Sequence, residues 1–294
     1  MRCGAIYKIS NVGENMINQK IIDEALEFYE INPKYKEKSY KTLEDINRNS
    51  IFIESFNKVF KMLYKDEFSN IKKLWEIKDK NTFFVKSINP FITNLIILSG
   101  YEIHKNNMKK YKLNKYQIDI HKKRVKECFE NDLITRDING IRISQMLWAV
   151  YFIRLRIIEI GNLQFEYEDD KTIKIHIPRN TDFRINKVKE SIKKSKIRIK
   201  EIYNIDNFIY KCNSWLLSNQ IHNIVDNNSN ISKFYDIFKV SDGDNCISDI
   251  LNFVYNLDVC DNYLNLEEKT SLQKIIKQEL LNGNIFYLGM GILK

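Results

Sequence analysis

Thr172-Ile-Lys-Ile-His-Ile-Pro178 and Phe208-Ile-Tyr-Lys-Cys-Asn-Ser-Trp-Leu-Leu217 decide how the second half of this chain folds. In the first stretch isoleucines alternate with other residues at 173, 175 and 177, the period of a half-buried strand, and Pro178 stops it. The second is rich in aromatic and branched residues, as a buried strand is. Between them apolar residues fall at 185, 188, 192, 199 and 202, a helical stripe interrupted only at Ser195. Residues 179–207 are long enough for a helical crossover, which parallel strands require. Upstream, Ile160–Glu168 and the acidic Asp169-Asp170-Lys171 turn form a hairpin with Thr172–Pro178. Downstream come short helices near 219–226, 229–237 and 246–256, a helix over Thr270–Leu281, and a closing strand at Phe286–Leu293. Thr270 suits an N-cap and Gly283 a C-cap.

The first 130 residues have a different grammar. Ile17, Ile21, Ile22, Ala25, Leu26 and Tyr29 form one helical stripe, which Pro33 should end. Ile51, Phe52, Phe56, Val59, Phe60 and Leu63 form another. Thr42 with Asp45 can open a short turn, Trp75 stands in a basic segment, Phe83–Leu98 is apolar, and Tyr116–Phe129 is amphipathic. Ile141–Ile158 reads as one more helix. The fold class expected is therefore α+β, with a helical domain at 1–137 and a mixed-sheet domain at 138–294.

Composition narrows the function. The 294 residues carry a net charge of +9, and residues 141–200 hold fourteen Lys/Arg against seven Asp/Glu. Much of that excess sits on the helix from 185, where the lysines fit a solvated face. Nucleic-acid binding would want aromatic residues interleaved with them. Five scattered cysteines without a C-x-x-C pair argue against a disulfide framework or zinc site and fit a reduced, cytoplasmic compartment. Phe91–Leu98 is too short to cross a bilayer, and Met146–Ile160 is broken by Arg154 and Arg156. No metal and no membrane partner are expected.

Several short strings carry a resemblance: Ile160-Gly-Asn-Leu-Gln-Phe-Glu166, Ile175-His-Ile-Pro178, Cys212-Asn-Ser-Trp-Leu-Leu217, Thr270-Ser-Leu-Gln273 and Leu288-Gly-Met-Gly-Ile-Leu293. In order and spacing the chain resembles bacterial acyltransferases that join a helical N-terminal domain to a GNAT-like C-terminal domain. That family runs G-R-L-Q-F-E, H-I-P, C-x-S-W-L-L, T-S-L-Q and G-x-G-I-L. The resemblance implies transfer of an acyl group from a CoA thioester, with acyl-CoA as co-substrate, to an amine or hydroxyl acceptor. It implies that Thr172–Pro178 and Phe208–Leu217 are parallel neighbours that splay apart for the thioester arm.

Acyl transfer needs N–H donors for pyrophosphate, a proton acceptor, an oxyanion donor and a proton for the leaving thiolate. Arg179, Asn180, Thr181 and Arg184 precede the helix start, where free N–H groups suit phosphate. His176 is the first general-base candidate and Glu166 the second. Cys212 or Ser214 could protonate the thiolate or carry an acyl group, and Tyr287 could serve as an acid. Two departures count against the reading. Asn162 replaces the family's arginine, and residues 179–184 contain no glycine where ordinary GNAT enzymes have a Q/R-x-x-G-x-G/A turn. The alternative they support is a catalytically degenerate binding or regulatory module; a nucleic-acid-associated protein is the third reading.

Overall fold

A computed structural model describes residues 17–65, 89–135, 138–179 and 181–294. The chain divides into two compact units, Met1–Leu155 and Arg156–Lys294, where the sequence had suggested a change at 137/138.

The first unit is helical in its described residues. Helix α1, Gln19–Phe28, starts where the Asn18 side chain accepts the Ile21 N–H, and it buries Ile22, Ala25 and Leu26. It is followed by α2 (Lys36–Asn47), α3 (Ser50–Tyr64), α4 (Ile92–Ser99), α5 (Tyr101–Lys110), α6 (Lys115–Thr135) and α7 (Ile143–Ile153). The first stripe faces inward and so does most of the second: Phe56, Phe60 and Leu63 of α3 are buried with Tyr29, Phe91, Phe129 and Phe152, Phe52 and Val59 are half-buried, and Ile51 at the helix start is exposed. Three local expectations need correction. The turn after α1 is made by Glu30 in the left-handed region (φ 56°), whereas Pro33 begins the next, 3-10 turn. Thr42 opens nothing, because it lies inside α2 with its hydroxyl donating to the Lys38 carbonyl. The helix expected to run to Ile158 ends at Ile153, and Leu155 (φ 52°) turns the chain into a strand. Trp75 and residues 83–88 lie outside the described residues.

The second unit is a six-stranded mixed sheet ordered β1-β2-β3-β4-β6-β5. Strands β1 (Ile157–Ile160), β2 (Leu163–Asp169) and β3 (Thr172–His176) form an antiparallel meander. Helix α8, Ile185–Tyr203, crosses over to β4, Ile209–Ser214, which runs parallel to β3. Strand β5, Phe238–Asn245, was not expected from sequence. It forms the far edge, with β6 (Tyr287–Leu293) between it and β4. Val188, Ile192, Ile199 and Ile202 of α8 are buried, as is Ser195, whose hydroxyl meets Tyr210 Oη at 2.5 Å. The one break in the stripe is therefore a hydrogen bond within the core. Lys189, Lys193, Lys194, Lys196 and Lys200 face solvent.

Between β5 and β6 the chain makes an excursion through α11 (Ile247–Tyr255) and α12 (Ser271–Leu281), following α9 (Asn219–Ile224) and α10 (Asn230–Tyr235). It has its own core of Ile250, Leu251, Leu266, Ile276, Leu280 and Phe286. Thr270 and Gln273 form the expected capping box of α12, and Gly283 follows its end with φ 81°. Gly289 lets the Trp215–Leu217 turn cross the sheet: a Cβ there would sit 1.9 Å from the Leu217 carbonyl oxygen. Among the described residues no helix is long and apolar enough to cross a membrane.

Candidate active site

The register of the meander assembles a charged cluster on one sheet face. Gln164 pairs with His176, and Glu166 with Lys174, so all four side chains share that face and Glu166 lies diagonal to His176. His176 Nε2 is 2.8 Å from Glu166 Oε2. The other carboxylate oxygen, Oε1, accepts Arg156 Nε at 3.0 Å and lies 2.8 Å from Arg156 Nη2. Arg156 and Glu166 are almost wholly buried, while the His176 side chain keeps 27% of its exposure. Burial by itself would raise the Glu166 carboxyl. The hydrogen bond and charge of His176, then the charges of Arg156 and Lys174, outweigh it and hold the group below its ordinary value. Alongside, Gln164 Nε2 donates to Glu159 Oε2 at 2.8 Å, and Lys174 pairs with Glu168 at 2.8 Å.

Beyond this cluster the sheet opens. Pairing between β3 and β4 runs from Thr172–Ile209 to Lys174–Lys211 and ends there, although β3 continues to His176 and β4 to Ser214. The gap lies at the carboxyl ends of two parallel strands, the usual place for a ligand in such sheets. His176 flanks it from β3. Lys211 shares the face of Lys174, so alternation puts Asn213 on the His176 face and Cys212 and Ser214 on the other.

Those two candidates are thus separated from His176 by the sheet. Cys212 is fully buried, and burial pushes its thiol up to about 12, the behaviour of a small core residue. Ser214 Oγ accepts the Leu216 N–H at 3.2 Å, capping the turn that follows. Tyr287 lies at the start of β6, opposite Asn245, and is 38% exposed.

The segment before α8 is tied down by side chains in place of glycine. Asn162 Nδ2 donates to the Asp182 carbonyl at 2.6 Å, Thr181 Oγ1 donates to the Asn162 carbonyl at 2.8 Å, and the Asn162 N–H donates to Ser191 Oγ at 2.8 Å. Asn162 occupies the β1–β2 turn beside Gly161, which has φ 63° and where a Cβ would lie 2.3 Å from Ser191 Oγ, leaving no room for a side chain. Arg184 grips Asp182 with both carboxylate oxygens engaged. Hydrogen bonds from Arg184 bring that exposed carboxyl down to about 2. Arg179 reaches α11, where it donates to the Asn252 carbonyl at 3.0 Å and stacks over Phe253 at 4.9 Å. Asn180 lies outside the described residues. Arg184 is the N-cap of α8 and makes no side-chain cap bond to the helix.

Of the groups in this cluster, the sequence reading named His176 and Glu166 as candidates. It missed Arg156, seen only as a break in an apolar window. Its position ten residues before Glu166 is a partnership only once β1 and β2 are folded together. Among the described residues, no group of three or more His, Cys, Asp or Glu side chains is placed to hold a metal ion.

Residues 157–293 match the family described as GNAT-like C-terminal domain. No curated protein matches the chain by sequence. Solved structures share its fold. One acyltransferase, in complex with decanoyl-CoA and teicoplanin, is 13% identical, superposes with a TM-score of 0.71, and aligns over 97% of this chain and 91% of its own. An acyltransferase mutant with octanoyl-CoA is 13% identical, with a TM-score of 0.70 over 94% and 88% of the two chains. A third, in complex with decanoyl-CoA, is 12% identical, with a TM-score of 0.61 over 92% and 98%. The β1–β6 sheet with its α8 crossover, residues 157–293, is thus similar to the GNAT-like C-terminal domain, and the chain shares the fold of these solved acyltransferases.

Proposed function

We propose that the protein is an acyl-CoA-dependent acyltransferase, moving an acyl group from a CoA thioester to an amine or hydroxyl acceptor. The observation that carries this reading is the parting of β3 and β4 directly beside His176. The thioester arm enters that gap and meets the main-chain edges of the two strands. The pyrophosphate lies toward the start of α8, near Arg179, Thr181 and Arg184, where helix N–H groups and the dipole favour it. The acceptor nitrogen or oxygen attacks the thioester carbonyl carbon while His176 takes its proton. The tetrahedral oxyanion collapses, the C–S bond breaks, and CoA leaves as a thiolate that takes up a proton. Cys212, Ser214 and Tyr287 are secondary candidates for that last proton. Solved acyltransferases of this fold hold decanoyl- and octanoyl-CoA, which makes medium-chain thioesters the first donors to try.

Calorimetry with CoA, acetyl-CoA, octanoyl-CoA and decanoyl-CoA tests this. Saturable binding between about −8 and −4 kcal/mol, micromolar to millimolar, is expected, weakened by Arg179→Glu. No heat with any of the four overturns the proposal. The glycine-free 179–184 segment favours a second reading, a binding module without turnover. Binding with no transfer across a broad panel of amines and alcohols selects it.

A further inference from the structure

We infer that Arg156 is a positioning residue that selects the tautomer of His176 through Glu166, leaving Nδ1 as the proton-accepting nitrogen. The inference rests on the acyl-transfer reading for its catalytic consequence, but the geometry stands without it. Glu166 bridges the other two residues, with Arg156 on Oε1 and His176 Nε2 on Oε2. An ionised carboxylate can only accept, so facing Oε2 the imidazole must donate from Nε2, and its lone pair then lies on Nδ1. A carboxyl this deeply buried stays ionised only with a charged partner. Arg156 supplies a charge that does not titrate and, through its fork, two donors to one oxygen. Of the cluster's other charged groups, His176 favours the ionised form most, but its charge depends on its own proton; Lys174 also favours it while paired with Glu168, and Glu159, which accepts from Gln164, has the wrong sign.

Arg156 is also anchored by its own main chain. Its carbonyl accepts the Tyr167 N–H at 2.9 Å and the Tyr203 hydroxyl at 3.1 Å. The main chain that carries the guanidinium is therefore held from β2 and from α8. In Arg156→Met the buried Glu166 takes up a proton and becomes a donor to Nε2. The imidazole proton must then move to Nδ1, and the nitrogen meant to accept a proton is blocked.

The test is nitrogen NMR on the full-length protein with labelled histidine. There are four histidines, and the His176 signals are identified by their loss in His176→Ala. Neutral His176 should show a proton on Nε2 and an unprotonated Nδ1 in wild type and in Arg156→Lys, and a proton on Nδ1 in Arg156→Met. Thermal melting confirms that each variant is folded. A wild type protonated on Nδ1, or a folded Arg156→Met with an unchanged tautomer, overturns the inference. If Arg156→Met does not fold, the wild-type and Arg156→Lys spectra decide it alone. With an active donor–acceptor pair, Arg156→Met should lower kcat on the order of 10²–10⁴-fold with KM for acyl-CoA nearly unchanged. An equal rise in KM would mark a merely structural role. A wild type with the expected tautomer and no turnover refutes the acyltransferase reading and leaves the positioning role intact.

Discussion

His176 in the sheet and the His104–His121 pair in the helical unit show how differently one side chain is used when its neighbours differ. His176 keeps contact with solvent and meets a carboxylate whose other oxygen is paired with an arginine. His104 and His121 lie wholly inside the helical unit, their rings 5.9 Å apart. Tyr29 Oη meets His104 Nδ1 at 3.0 Å, and His121 packs edge-on against Phe152. Among the described residues, His104 Nε2 and His121 Nδ1 have no hydrogen-bond partner. Desolvation forces both rings to stay neutral. It brings His121 down to about 4 despite the ring's hydrogen bond to the Phe152 backbone carbonyl, and it lowers His104 as well, with help from His121. A carboxylate partner and a route to water make a histidine able to exchange protons; their absence makes it a core residue with a polar rim.

The contrast is broken most directly by removing each ring. His176→Ala should lower turnover by about 10²–10⁴-fold while CoA affinity and the melting temperature stay near wild type. Full activity in that variant against a confirmed acceptor would remove His176 as the base. Acid should act on the other pair. An unfolded histidine takes its proton near 6.5, whereas folded His121 does so only near 4. Stability is therefore complete above about pH 6.5 and is lost as pH falls toward 4, by roughly 3 kcal/mol from His121 alone. Chemical denaturation at stepped pH should show this limb in wild type and a shallower one in His121→Phe. Identical slopes would mean that the ring is not withdrawn from water in solution.

Two smaller effects sharpen the same contrast. Tyr29→Phe leaves His104 Nδ1 without its bond and should cost about 1 kcal/mol of stability, read from the denaturation midpoint, with no change in turnover per folded molecule. Replacing Lys193, Lys194 and Lys196 with alanine should shift stability by less than about 0.5 kcal/mol each, because their side chains face solvent. Tyr203, at the end of that helix, is turned inward with its hydroxyl on the Arg156 carbonyl. Tight, strongly salt-dependent DNA or RNA binding that the triple substitution abolishes would restore the nucleic-acid reading.

Periodicity made the parallel β3–α8–β4 unit and the inward stripes of α1 and α3 legible, since burial on one face leaves a repeat in the chain. Strand β5 left none. Phe238-Lys-Val-Ser-Asp-Gly-Asp-Asn245 is an edge strand with most side chains exposed, and its pairing comes entirely from β6. Strand β1 was hidden for the opposite reason. Ile157–Ile160 is buried on both faces and continues an apolar helix, so period could not divide them. The division is made by Leu155 in a left-handed conformation that side chains seldom adopt. In the site, His176 and Glu166 were legible as single candidates, and their partnership was not.

Sequence by itself determined the elements whose burial is periodic, the α+β order, the capping box at Thr270–Gln273, and the residue types available for proton transfer. Only the tertiary structure decided which of those residues meet. Strand alternation assigns a side chain to one of two faces, but register decides its neighbours. The register of β2 on β3 sets Glu166 beside His176, and the return of β1 along β2 delivers Arg156 to the same carboxylate. The end of β3–β4 pairing after Lys174 and Lys211 likewise belongs to the folded sheet. A charge's effect depends on distance and on exclusion of water, and neither exists until the strands are side by side.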